Sequence, residues 1–327
     1  MTADILNRSK GVVDTMDNQM HMVSNGSCTV RSSHIQEHQS ENLLGKDVMG
    51  VFARRHIAAD EVLFIDRTTT GVTMIEEDRC SLCCAITTKL DEVKCPGCTK
   101  YFCSPDCLAA ATLAGHLVAC TQRGKFGNLT AFSSRESPKQ FSRAVRAKLL
   151  LRYLEFVVQH METMNSERLH PLQILPMMRL TPKYIGHEIV PFSLVDDIIM
   201  PINMLLSLDI DIFAEHRFDT WVLFTMRSRL NNNVVGINLP NKDYIYGIYP
   251  MMAILNHSCD PCVIYSKVGK DATIVVTAVR DISKGEEIFT SYLSQPQELS
   301  LEERRAALMA WFGTACRCNR CLKESSN

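Results

Sequence analysis

Apolar positions change their spacing three times along the chain, and each change marks a different kind of element. Residues 1 to about 42 are polar, rich in Met, Ser and Asn and without period, which predicts a disordered tail. Two short apolar runs follow, Val48-Met49-Gly50-Val51-Phe52 and Val62-Leu63-Phe64-Ile65. Separated by Ala58-Ala59-Asp60-Glu61, they predict two strands joined by a turn, the first piece of a sheet. From about 121 to 230 the spacing becomes helical. It is clearest in Arg143 to His160, where Val145, Leu149, Leu150, Tyr153, Leu154, Phe156 and Val157 make one broad apolar face that belongs in a core. Strand character returns at Ile274–Val279 and at Glu287–Tyr292, with a turn at Lys284-Gly285 between them. The expected fold is therefore α+β, a sheet split by inserted material.

Between the two sheet halves lies a run of metal-ligand residues. Cys80/Cys83 and Cys95/Cys98 are C-x2-C pairs, Cys103/Cys107 is C-x3-C and His116/Cys120 is H-x3-C, eight ligands that fill two closed tetrahedral sites. Ser104-Pro105-Asp106 offers an N-cap, a proline at the first helical position and an acid in the first turn, so a short helix starts here and stops at Gly115. A stretch with so few large apolar residues cannot fold on buried surface alone, and metal binding supplies much of its folding free energy. These sites are structural, with no open coordination position. Disulfide bonding fits the nested spacings poorly, and residues 1–40 hold no apolar core of a signal peptide, so the expected compartment is intracellular and reducing.

Composition adds limits. With 327 residues, 46% of them hydrophobic and 22% charged, the chain is long enough for more than one compact unit, and its net charge of -1 is neither basic nor acidic. Around the cysteine cluster Arg79, Lys89, Lys94 and Lys100 are matched by Glu76, Glu77, Asp78, Asp91, Glu92 and Asp106. The basic footprint of a nucleic-acid-binding finger is missing, so protein partners are expected. No run approaches the length of a membrane helix.

The cysteine cluster resembles a MYND finger. Asn256-His257-Ser258-Cys259-Asp260-Pro261, Gly285-Glu286-Glu287 and Tyr292 resemble the C-terminal half of a SET domain, and Cys316-Arg317-Cys318-Asn319-Arg320-Cys321 resembles a post-SET element. In this order the motifs are similar to those of the SMYD family of protein lysine methyltransferases, over roughly residues 43–324. The resemblance implies a split SET-domain β-fold with an inserted MYND zinc finger, a helical insertion and a post-SET zinc site. Its divisions are a tail at 1–42, the first SET part at 43–79, the finger at 80–120, the helical insertion at 121–235, the second SET part at 236–295 and the post-SET element at 296–327.

The resemblance also implies three Zn2+ ions: one on Cys80, Cys83, Cys103 and Cys107, one on Cys95, Cys98, His116 and Cys120, and one joining Cys259 to Cys316, Cys318 and Cys321. The last set makes chemical sense, because C-x-C-x2-C offers three thiolates and needs a fourth ligand from elsewhere. Cys28, Cys84 and Cys262 are left as ordinary thiols.

The implied reaction is methyl transfer from S-adenosylmethionine to a lysine amine of a protein, histones among the possible substrates. At pH 7 roughly one lysine in two thousand is neutral, so an apolar channel must favour the amine form. Tyr292 is the implied catalytic residue, Val48, Met49, Gly50, Asn233, Asn256 and His257 the implied cofactor contacts, and Tyr249 the implied channel lining. The Asn233 register is open by one or two positions, given Asn231 and Asn232, and a solvated turn is the other reading.

Several positions depart from the family pattern. Val48 and Asp60 stand where it has glycine, Cys262 where it has asparagine, and Thr314 where it has an aromatic residue. Each of the changes at 48, 262 and 314 would cost about 1 to 2 kcal/mol of cofactor binding. The family commonly continues into a helical domain that walls the substrate cleft, whereas this chain stops six residues after Cys321, implying an open groove. Two functions are therefore expected in competition: a methyltransferase, or a silent adaptor whose finger binds peptides in transcriptional regulation. Either implies proline-rich peptide partners and a location in nucleus and cytoplasm.

Overall fold

In the computed structural model the described residues are 3–33, 49–68, 70–73, 78–87, 92–121, 138–163, 171, 194–238, 244–312 and 315–326. Among them no helix is long and apolar enough to cross a membrane.

Residues 3–33 correct the expected tail, whose residues 1–2 and 34–42 lie outside the described ones. Residues Ala3–Val23 form helix α1 and Cys28–Ser32 strand β1, which pairs antiparallel with β2 (Met49–Ala53) from Cys28↔Ala53 to Ser32↔Met49. Met16, Met20, Cys28 and Val30 enter the main core. Asp17 Oδ1 accepts from the Thr29 hydroxyl and the Val30 amide, both at 2.7 Å, locking helix to strand. The few apolar residues here are placed by the sheet they cover, so local composition understates their burial.

Strand β3 (Val62–Arg67) exists as expected but does not pair with β2. The connection between them is stitched to distant backbone: Ile57 bridges Ile282, Asp60 N donates to the Ala278 carbonyl and Ala278 N to that of Glu61. Asp60 takes the left-handed φ of 65° that the family's glycine would take. Each strand thus leaves in a separate sheet. β3 joins β10 (Val263–Lys267) and β11 (Thr273–Ala278) in the order β10-β11-β3. β4 (Thr70–Thr73), β7 (Val234–Asn238) and β8 (Tyr244–Ile248) form a second three-stranded sheet, β4-β8-β7. The third sheet runs β1-β2-β12-β9, with β9 at Asn256–His257 and β12 at Glu287–Thr290.

The finger contains the small hairpin β5 (Val93–Lys94) and β6 (Tyr101–Phe102), then α2 (Pro105–Ala111) and α3 (Leu117–Thr121). Helix α2 begins as expected: the Ser104 side chain accepts from Cys107 N, and the helix is broken at Gly115, whose φ is 107°. Gly115 is needed for space as well, since a Cβ there would stand 2.7 Å from the Glu155 carbonyl carbon.

That close approach seats the finger on α4 (Pro138–Thr163). Arg152 donates to Ser81 O at 2.7 Å, Gln159 Oε1 accepts from Leu117 N at 3.1 Å, and buried Glu155 lies 3.9 Å from Lys100 and 3.7 Å from Arg152. The opposite side of α4 packs Leu150, Tyr153, Leu154 and Val157 against α5 (Met200–Ser207) and α6 (Thr220–Asn233). Two last helices, α7 (Leu301–Phe312) and α8 (Asn319–Ser325), close the carboxyl-terminal cysteine cluster.

Candidate active site and metal centres

The site is built where β9 lies parallel to β12, pairing Asn256 with Phe289 and His257 with Thr290. Asp66, on β3, fixes the turn that leads into β9: its Oδ2 accepts from Met251 N at 2.8 Å and Met252 N at 2.9 Å. Burial pushes this carboxyl up from 3.8 to about 6, against the lowering effect of those amides.

Both amide protons of buried Asn256 are used inside the chain, to Met49 O at 3.1 Å and Glu287 Oε1 at 2.8 Å. Ser33, on the residue after β1, donates to the same Glu287 oxygen at 2.6 Å. Gly50 lies against this knot, where a Cβ would overlap Glu287 Oε1 and come within 3.0 Å of Asn256 Nδ2. Met49, Gly50 and Asn256 therefore stand together as one group. Ser33 and Glu287 were not expected in it. An acid at an inward strand position, beginning Glu287-Ile288-Phe289, was the available signal; nothing in the tail pointed to Ser33.

Tyr292 is held at both ends. Its hydroxyl donates to Leu255 O and its amide to His257 Nδ1, each at 2.9 Å, with the His257 and Tyr292 ring centroids 5.2 Å apart. Burial lowers the His257 pKa to about 4, so the imidazole is neutral at neutral pH. Tyr249 corrects the expected channel lining: it is 0% exposed, and its hydroxyl donates to Ala272 O at 2.7 Å within the sheet core. Burial pushes that phenol up. Asn233 ends α6, its Nδ2 donating to Arg229 O at 2.8 Å and its buried Oδ1 without a partner. No hydrogen bond joins it to the Asn256 group. Val48 and Thr314 lie outside the described residues.

Cys262, which lacks the side-chain amide of the family's asparagine, is tied to Phe289 by backbone and sulfur. Its amide donates to Phe289 O at 3.1 Å, its sulfur accepts from Phe289 N at 3.1 Å, and its thiol approaches Phe289 O at 3.6 Å.

Three groups of four ligands have their ligand atoms within 4.8 Å of one another: Cys80, Cys83, Cys103, Cys107; Cys95, Cys98, His116, Cys120; and Cys259, Cys316, Cys318, Cys321. All fourteen cysteines are free thiols. A tetrahedral centre with metal–sulfur bonds near 2.3 Å has sulfur–sulfur edges of about 3.8 Å. The observed edges match: 3.6 Å for Cys83–Cys103, 3.4 Å for Cys103–Cys107, 3.6 Å for Cys95–Cys120 and 3.6 Å for Cys259–Cys321. His116 is held at about 4 by burial, then by Lys100 and Arg152, and turns Nε2 towards Cys95 at 3.3 Å and Cys98 at 3.8 Å. A neutral imidazole with its lone pair among thiols is a metal ligand's environment. The thiols also compete for negative charge. The Cys83 hydrogen bond holds Cys80 down at about 4, and the same contact pushes Cys83 up. A divalent cation would relieve that competition.

At the third group, Arg304 is a fully buried cation. It donates to Leu299 O at 2.6 Å, pairs with Glu324 and approaches Cys321 Sγ at 3.9 Å. Arg320 donates to Cys259 O at 3.2 Å, tying α8 to the β9 loop.

The SET domain family matches residues 48–293. Among curated relatives, histone-lysine N-methyltransferase SET5 of Yarrowia lipolytica is 37% identical over 107 residues, covering 32% of this chain and 24% of its own length. A SET and MYND domain-containing protein of Dictyostelium discoideum is 27% identical over 247 residues, 72% of this chain and 68% of that protein. Human histone-lysine N-methyltransferase SMYD3 is 42% identical over 82 residues, 25% of this chain and 18% of that protein. The chain belongs to the SET-domain family and is similar, within it, to SET and MYND domain-containing proteins. It spans about a quarter of the first relative's length and about two thirds of the second's.

Proposed function

We propose that this protein is an S-adenosylmethionine-dependent protein-lysine N-methyltransferase. The observation that carries the reading is the pinning of Tyr292 by Leu255 and His257 beside the Asn256 group, within a SET-domain match. S-adenosylmethionine would supply an electrophilic methyl group on a sulfonium. With both amide protons of Asn256 committed to Met49 and Glu287, its Oδ1 is left to accept from a cationic donor such as an amino-acid ammonium. Tyr292 presents a hydroxyl oxygen whose proton is already given to Leu255 O, so it can accept from the N–H of a neutral lysine amine and aim its lone pair.

Zinc is the ion proposed for all three cysteine groups, in a structural role: each already has four ligands, leaving no place for substrate. Eleven cysteines gathered as metal ligands rather than paired as disulfides support a reducing compartment, and nucleus and cytoplasm are the proposed location. A proline-rich peptide is the proposed partner of the finger.

The test is transfer of labelled methyl from S-adenosylmethionine to a lysine-rich protein array. Wild type should label lysines, and Tyr292→Phe should lose roughly a hundredfold in rate through lost orientation. Labelling unchanged in Tyr292→Phe would refute the assignment of that residue. Absence of labelling from protein that still binds peptide through its finger would favour the adaptor.

A further inference from the structure

We propose that His257 is a positioning residue that couples the Cys259, Cys316, Cys318, Cys321 metal centre to the backbone of Tyr292. A backbone N–H can only donate, so the 2.9 Å contact from Tyr292 N leaves Nδ1 of the ring without a proton. The ring proton therefore sits on Nε2, which lies 3.3 Å from Cys259 Sγ and donates to it. Cys259 is bound into the centre twice more, by its amide to Cys318 Sγ at 3.4 Å and its sulfur 3.6 Å from that of Cys321. The imidazole is 4% exposed and its backbone pairs with Thr290, so it cannot swing away from either partner. A metal-bound Cys259 is a thiolate, a stronger acceptor for the Nε2 proton than a thiol is. Filling the centre thus tightens the imidazole, and through it the strand end that carries Tyr292. An N–H aimed at a metal-bound ligand in turn fixes that ligand and slows loss of the metal. Only the consequence for turnover rests on the methyl-transfer reading; the linkage itself does not.

The experiment uses the full chain loaded with zinc and labelled with 15N-tyrosine, the Tyr292 amide being the resonance missing from Tyr292→Phe. Stripping the metal, or disabling this centre alone with Cys321→Ser, should raise exchange of the Tyr292 amide roughly tenfold. In His257→Asn the Oδ1 stands near the Nδ1 position, so the Tyr292 amide stays protected, but the donor to Cys259 is gone. Metal release to a chromophoric chelator should then quicken about 10- to 100-fold. In His257→Gln the side-chain amide reaches the Nε2 position, so release stays slow while the Tyr292 amide opens and no longer responds to metal. Tyr292 exchange indifferent to metal in the wild type and in Cys321→Ser would overturn the proposal. So would an equal loss of metal and protection in both His257 variants, the mark of general loosening. None of these readouts uses methyl transfer, so failure here leaves the proposed activity untouched, and an inactive protein can still show the linkage.

Discussion

Asp66 shows how one buried carboxyl can hold the turn that leads into the site. Its carboxyl is raised from 3.8 to about 6, chiefly by burial, so the folded state holds its proton more tightly than the unfolded chain does. Stability from this group is present below the unfolded pKa and is lost as pH rises towards 6 and above. Wild type should therefore lose roughly 2 kcal/mol relative to Asp66→Asn between pH 4.5 and 7. Urea unfolding of both proteins at the two pH values measures the difference, and a difference that does not move with pH would contradict the assignment. At this scale the sequence was legible where chemistry is local. Cysteine spacing marked the metal ligands, the family resemblance divided them into the three sets that the structure gathers, and Ser104, Pro105 and Gly115 bounded α2, because ligand pairs and caps depend on residues a few positions apart. Ser33 and Asp66 were not legible, since their partners lie 254 and 185 or more positions away, and Glu287 stood out as an acid on a strand without naming Asn256, 31 positions away.

Elements were readable in type and less so in partnership. The apolar stripe of α4 announced itself, and all its residues but the half-buried Phe156 are buried, but which strands would share a sheet was not stated by any run of residues. β9 is two residues long and is defined only by its parallel pairing with β12, so no periodicity could reveal it. Helix α1 and strand β1 were hidden for a related reason: Met16, Met20 and Val30 are sparse in a polar stretch, and only the sheet makes them core. The joint between finger and α4 yields a test at this scale. Gly115→Ala meets both a left-handed φ and the Glu155 backbone, and should cost about 2 to 3 kcal/mol. Its signature should be faster metal release from the finger in a chelator assay; release at the wild-type rate would show that α4 yields to accommodate the methyl group.

At the scale of the whole molecule, metal centres and apolar cores divide the work. The buried set of the finger is Cys80, Ala85, Cys95, Phe102 and Ala111, with one large side chain, whereas the sheet core gathers Phe64, Tyr249, Leu255, Ile274 and many others. A strong chelator should therefore release three zinc ions per chain and open residues 80–120 to proteolysis while the sheet core stays protected. Loss of both together would mean that the finger and core fold as one unit. The carboxyl-terminal centre sits between these extremes, because Cys259 belongs to the β9 loop and the other three ligands to the chain segment before and within α8.

Calorimetric titration of S-adenosylhomocysteine into the zinc-loaded protein probes the proposed methyl-donor site without a protein substrate, since this product carries the adenine and amino-acid groups of the donor. Micromolar binding, kept in Tyr292→Phe and weakened at least tenfold in Asn256→Ala by loss of one charge-assisted hydrogen bond, is the predicted result. No binding to protein that is folded and holds three zinc ions would contradict the methyltransferase assignment.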